Sequence, residues 1–146
     1  MFIKLTEHLK KQNIKFSIVE ENITAVVFGL KTDVGSYQCI GDVKEDEHIF
    51  LFYTILGLTV PSDKLQLMAE MLTRINSGLM IGNFEMDFED GELRYKTSID
   101  YENELTDSLI HNIISVNIMT VDSFSKALMS LIVTNDSPQK ILSEMV

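Results

Sequence analysis

Gly82–Asp100, GNFEMDFEDGELRYKTSID, is the stretch on which the fold turns. Asp90-Gly91 suits a two-residue type I′ turn, in which both central residues take positive φ. Centring the hairpin there sets Phe88 opposite Leu93, Met86 opposite Tyr95 and Phe84 opposite Thr97, so one face is largely apolar. On the other face Asp87 meets Arg94 and Glu85 meets Lys96. Each opposite-charge pair adds roughly 0.2–1 kcal/mol, and a slip of one residue would turn the apolar set out into water. An antiparallel hairpin with one buried face is therefore expected, and nothing in it carries chemistry.

Upstream, residues 3–12 have Leu5 and Leu9 on one side and Lys4, Glu7, Lys10 and Lys11 elsewhere, the pattern of a short amphipathic helix. Four segments rich in β-branched and aromatic residues follow: Phe16 to Ile18, Ile23 to Leu30, Tyr37 to Val43 and Ile49 to Leu58. Turn signals at Glu21-Asn22, Lys31 to Ser36 and Lys44 to Glu47 separate them, which predicts antiparallel pairing of neighbours. In IFLFYTIL, Ile49 to Leu56, both alternating faces are apolar. Such a strand is either covered on both sides or lies at an interface.

Pro61-Ser62-Asp63 starts a helix, with Ser62 as expected N-cap and Leu65, Met68, Leu72 and Ile75 facing inward, before Gly78 and Gly82 end it. After the hairpin, Thr106 to Val133 reads as a long helix with Leu109, Ile113, Val116, Phe124, Leu128, Leu131 and Ile132 inward. Asn135 to Pro138 breaks it, and Pro138 to Met145 closes the chain as a last helix with Ile141 and Leu142 inward. The absence of a repeat, linker or low-complexity segment predicts one α+β domain over residues 1–146.

Composition narrows the function classes. The chain is 45% hydrophobic and 23% charged, as expected of a globular protein. A net charge of −10 with 12 scattered Lys and Arg excludes the basic face that nucleic acid requires, and it disfavours an anionic membrane surface. The single Cys39 cannot form an internal disulfide, which, with no leader-like start, predicts a cytoplasmic protein.

Candidate chemistry is thin. His8, His48 and His111 lie in different elements without ligand spacing, so no metal is expected. The acids Asp87, Glu89, Asp90 and Glu92 invite a calcium loop, but its sixth position needs Gly and here holds Glu92. Cys39 sits in a predicted strand and reads as a small buried hydrophobe. No nucleophile elbow, phosphate loop or dinucleotide fingerprint occurs, so no catalytic residue and no cofactor are expected. The eight Met fall mostly at helical core spacing, although such residues can also build adaptable binding surfaces.

Four pieces in order, Thr59-Val60-Pro61, Leu72-Thr73-Arg74-Ile75-Asn76, Gly82-Asn83-Phe84-Glu85-Met86-Asp87 and Asp90-Gly91-Glu92-Leu93-Arg94-Tyr95, resemble the YbjN-type bacterial sensory transduction regulators. The resemblance implies a type III secretion chaperone-like α+β fold in the order helix, β-meander, helix, β-hairpin, long helix, with an antiparallel sheet packed against helices. It also implies a regulator or protein-binding module with no catalytic residues to carry over. Asn76, Gly82 and Asp90-Gly91 would then serve a helix end, the turn out of it and the hairpin.

The expectation is a non-enzymatic module, acting as a homodimer, that binds a segment of a partner protein along apolar sheet or helix surface. The doubly apolar strand makes Phe50, Phe52 and Tyr53 its candidate partner-binding residues. The alternative is a small-molecule sensor or an enzyme whose site forms only in three dimensions.

Overall fold

A computed structural model describes residues 1–145. The elements are α1 (Phe2–Lys11), β1 (Ser17–Val19), β2 (Asn22–Lys31), β3 (Ser36–Lys44), β4 (Ile49–Thr59), a 3-10 turn (Ser62–Lys64), α2 (Leu65–Asn76), β5 (Asn83–Met86), β6 (Glu92–Asp100), α3 (Asp107–Val133) and α4 (Pro138–Ser143). The six strands form one antiparallel sheet in the order β1-β2-β3-β4-β6-β5. The mixed helical and antiparallel architecture is the one expected.

The period of two along each strand decides which side the helices cover. Phe50, Phe52, Thr54 and Leu56 of β4 are buried, together with Val26 and Phe28 of β2, Cys39 and Val43 of β3, and Tyr95 and Thr97 of β6. Against this face lie α1, α3 and α2, over β3, over β4 and β6, and over β5 respectively. Gly41 permits the close approach of α1, since a Cβ there would come within 3.2 Å of Leu5 Cδ2. The opposite face, with Val27, Ile40, Leu51, Tyr53 and Ile55, has no helix over it among the described residues and is half-buried by its own side chains.

The hairpin forms, but two residues along from the expected register. Met86 pairs with Leu93, Phe84 with Tyr95, Glu85 with Arg94 and Asn83 with Lys96. Of Asp90 and Gly91 only Gly91 has positive φ (76°), so the two-residue type I′ turn is replaced by a longer loop closed by Asp87 N–H to the Glu92 carbonyl at 3.0 Å. Two carboxylates cause this: Asp87 accepts from the Glu89 N–H at 2.8 Å and Asp90 from the Glu92 N–H at 2.9 Å, both local bonds that Asp favours in turns. A shift of two residues keeps every side chain on its own face, so the apolar side survives. Phe88, expected opposite Leu93, instead stands in the loop and is 53% exposed.

Two other expectations are corrected. Ser62 makes no capping bond, because a 3-10 turn entered from extended Pro61 precedes α2. In α3 the buried stripe is Ile110, Ile113, Ile114, Asn117, Val121, Ala127, Leu128 and Leu131. Leu109, Val116, Phe124 and Ile132, expected inward, are only partly buried. The stripe is rotated because Asn117, polar by type, faces the sheet and is fully satisfied there.

Candidate functional site

The polar centre that positions α3 consists of Thr54, Thr97 and Asn117, all buried. Asn117 Oδ1 accepts from the Thr54 hydroxyl at 2.7 Å. Its Nδ2 donates to the Phe52 carbonyl at 3.1 Å, to the Tyr95 carbonyl at 3.3 Å and to Thr97 Oγ1 at 3.1 Å. One amide thus ties α3 to β4 and β6 and sets its rotation about its own axis. At the far end Lys64 Nζ donates to the carbonyls of Leu131 and Ile132 at 2.8 and 2.9 Å, satisfying acceptors that a helix C-terminus leaves free.

Held this way, α3 turns an apolar side outward. It is the one helix among the described residues long and apolar enough to cross a bilayer by length and composition, yet only 28% of its most apolar window is buried. Between Ser108 and Val121 it carries no Asp, Glu, Lys or Arg. Beside this stretch runs an open groove of about 740 Å³, lined by Leu79, Ile81, Ile99, Leu109, Val116, Met119 and Phe124 among others. Met119 on the helix crest is 68% exposed, and Met80 on the neighbouring loop 99%.

The sheet's open face is a second apolar area. Val27, Ile40 and Tyr53 fall on one rung, with Leu51 and Ile55 on either side of Tyr53 along β4. Several charges on this face pair with one another: Glu85 bonds Arg94 at 2.9 Å and Lys96 at 3.1 Å, and Lys44 bonds Asp42 at 2.9 Å. The Arg94 guanidinium lies over the Tyr53 ring, 5.0 Å from its centroid.

The candidate residues separate. Tyr53 lies on the open face, whereas Phe50 and Phe52 are fully buried under the helices, where neither can reach a partner from the folded chain. Alternation along β4 is the reason: neighbours in a strand point to opposite faces, and only one is open.

Edges matter for a sheet that binds other chains. At β5, Asn76 Oδ1 accepts from the Phe84 N–H at 2.8 Å while its Nδ2 donates to the Phe84 carbonyl at 3.1 Å. The amide occupies the positions a further strand would take, so this edge is blunted. Asn76 is thus more than the last residue of α2.

The structure also joins groups that sequence spacing left apart. His8 of α1, only 4% exposed, has Nδ1 at 2.8 Å from Asp107 Oδ1, and its ring centroid lies 6.2 Å from that of His111. The hydrogen bond from His8 holds the Asp107 carboxyl below its ordinary value. That pair's contribution to stability is present above the unfolded Asp range and is lost as pH falls through the lowered value. Asp107, His111 and Ser115 follow at helical i, i+4 spacing, the one signal in the sequence for this grouping. Among the described residues no group of three His, Cys, Asp or Glu is arranged to hold a metal ion.

Cys39 is buried with its Sγ 3.8 Å from Thr54 Oγ1, and burial pushes the thiol up to about 11, an effect the Thr54 contact partly offsets. At neutral pH the native protein should therefore be alkylated by iodoacetamide at least about a hundredfold more slowly than the denatured chain. Mass spectrometry over a time course checks this, and equal rates would place Cys39 at the surface.

The YbjN family, described as "Putative bacterial sensory transduction regulator", matches residues 4–129. No curated protein matches the sequence. Among solved structures, E. coli YbjN is similar at TM-score 0.63 and 13% identity, over 84% of this chain and 86% of that one. A chain of the ExsC–ExsE complex is similar at TM-score 0.62 and 14% identity, over 87% and 92%. A chain of the HopA1–SchA chaperone–effector complex is similar at TM-score 0.52 and 14% identity, over 82% and 88%. At these identities the likeness establishes the fold, which is type III secretion chaperone-like.

Proposed function

The chain belongs to the YbjN family, and on that premise we propose that it is a non-enzymatic, chaperone-like regulator that holds an apolar segment of a partner protein in the groove beside α3. The observation that carries this reading is the outward apolar side of a helix whose inner side is already locked to the sheet. An uncharged groove on a chain of net charge −10 favours a neutral, apolar occupant over a charged one. That similar chains occur in two-protein complexes, one a chaperone–effector pair, supports the same reading. The 146 residues act as one domain, in the cytoplasm, where a lone buried Cys39 needs no oxidising partner.

Two copies pair through the open sheet face around Tyr53. Several of its charges pair with one another, which lessens the repulsion between like copies of an acidic chain, and a two-fold axis would bring the apolar rungs together. Light scattering should then give twice the 16.6 kDa chain mass, reduced to one by Tyr53→Glu.

The partner test is affinity capture of tagged wild type and Met119→Glu from the native cell's lysate, with bound proteins identified by mass spectrometry. Met119 is exposed, so the variant should melt as wild type does, while one dominant stoichiometric protein is lost by about tenfold or more. No such protein, or one that Met119→Glu retains equally, rejects the groove.

A further inference from the structure

The groove beside α3 is walled mainly by hydrocarbon: Leu79, Ile81, Ile99, Leu109, Val116 and Phe124 offer nothing that a mild oxidant attacks. Met119 is the exception, the one sulfur among the lining residues. A thioether is soft and polarisable, and a two-electron oxidant turns it into a polar sulfoxide. Position decides which of the chain's sulfurs meet that chemistry. Met68 and Met71 are fully buried in the core, and the thiol of Cys39 is buried too. Met119 instead stands out from the helix crest, two residues after Asn117, whose bonds to β4 and β6 hold the opposite side of α3 to the sheet. Met80 is more exposed still, but it is not among the residues that line the groove.

We propose that Met119 is a modification site: in the free chain peroxide converts it to the sulfoxide, and the groove then loses its hold on an apolar segment. The inference rests on the reading of the groove given above and supplies its regulation. The thioether sulfur attacks one peroxide oxygen, and an S–O bond forms as the O–O bond breaks. The departing hydroxide takes the proton of the new S–OH group and leaves as water, so sulfur is oxidised by two electrons and peroxide reduced by two. The sulfoxide oxygen is a strong acceptor on an uncharged group. An apolar occupant would strip it of water and offer no donor in return, which disfavours loading. Because Met119 is exposed, the change leaves the core intact. Sulfoxide reductases return the thioether, so the step is reversible.

Purified wild type, Met80→Leu, Met119→Leu and Met119→Gln are treated with hydrogen peroxide, and each methionine is followed by peptide mass spectrometry. Nile red, a neutral apolar dye, reports on the groove. Met119 should oxidise at least about tenfold faster than Met68 and Met71, which only an opening of the core exposes. As its sulfoxide forms, the dye's Kd should rise about tenfold in wild type and in Met80→Leu, with thermal melting unchanged. Methionine sulfoxide reductases for both epimers should reverse the rise. Whatever dye affinity Met119→Leu starts from, peroxide should leave it there. Met119→Gln, polar and of similar length, should bind as weakly without treatment as oxidised wild type does. Oxidation of Met119 no faster than that of Met68, a dye that untreated wild type does not bind, or an equal loss in peroxide-treated Met119→Leu overturns the proposal. The two readings fail separately. If lysate capture gives no partner, the groove's function falls while the dye still decides the modification; if oxidised and untreated wild type capture the same partner equally, the modification alone falls.

Discussion

A Phe52→Asp variant should not fold. Phe52 is fully buried, its ring 5.9 Å from that of Phe28 and 6.5 Å from that of Phe50. Removing a buried Phe side chain costs about 3–5 kcal/mol, and an unpaired carboxylate in its place adds several kcal/mol more. Together these match the whole stability of a domain this size, about 5–15 kcal/mol. Circular dichroism should show no cooperative urea transition. Tyr53→Asp, one residue along on the open face, should keep one. Were Phe52→Asp to melt like wild type, β4 would have to face the other way, and the division between its two candidate aromatics would reverse.

Asn117→Leu has the next largest expected effect. Leucine fits an apolar environment and nearly matches the volume, so hydrophobicity alone predicts a gain. The hydrogen bonds predict the opposite. Leucine leaves the Thr54 hydroxyl with only the distant Cys39 Sγ, and it removes the donors to Phe52, Tyr95 and Thr97. A buried group left unpaired costs about 1–3 kcal/mol in addition to the bonds lost, so roughly 2–4 kcal/mol is expected. The urea midpoint should fall by about 1–2 M. Adding Thr54→Val removes the orphaned hydroxyl and should restore a large part of the loss, which a double-mutant cycle measures. A stabilising Asn117→Leu would mean that the network does not hold α3.

What could be read from the chain depended on how local the deciding physics was. The strands, α1, the start of α3 at Thr106 and the break at Asn135 to Pro138 were legible because apolar periodicity and turn residues act over a few positions. The hairpin's faces were legible for the same reason, but its register was not. Asp90-Gly91 satisfies a tight turn and a looser one, and the Asp87 and Asp90 side chains decided between them. Ser62 failed as a cap because extended Pro61 led into a 3-10 turn instead. The rotation of α3 was misread because a polar residue counts as outward until its partners are known.

By itself, the sequence determined the antiparallel sheet, the helices, their order and the presence of one strand, Ile49 to Leu56, with two apolar faces. It could not say which face the helices take, because period-two alternation makes the two equivalent until α3 chooses one. Only the tertiary structure put Phe50 and Phe52 in the core and Tyr53 outside, left the apolar side of α3 open, and set His8 against Asp107. Those outcomes rest on contacts between residues far apart in the chain, such as Thr54 with Asn117 and His8 with Asp107. No spacing rule encodes them.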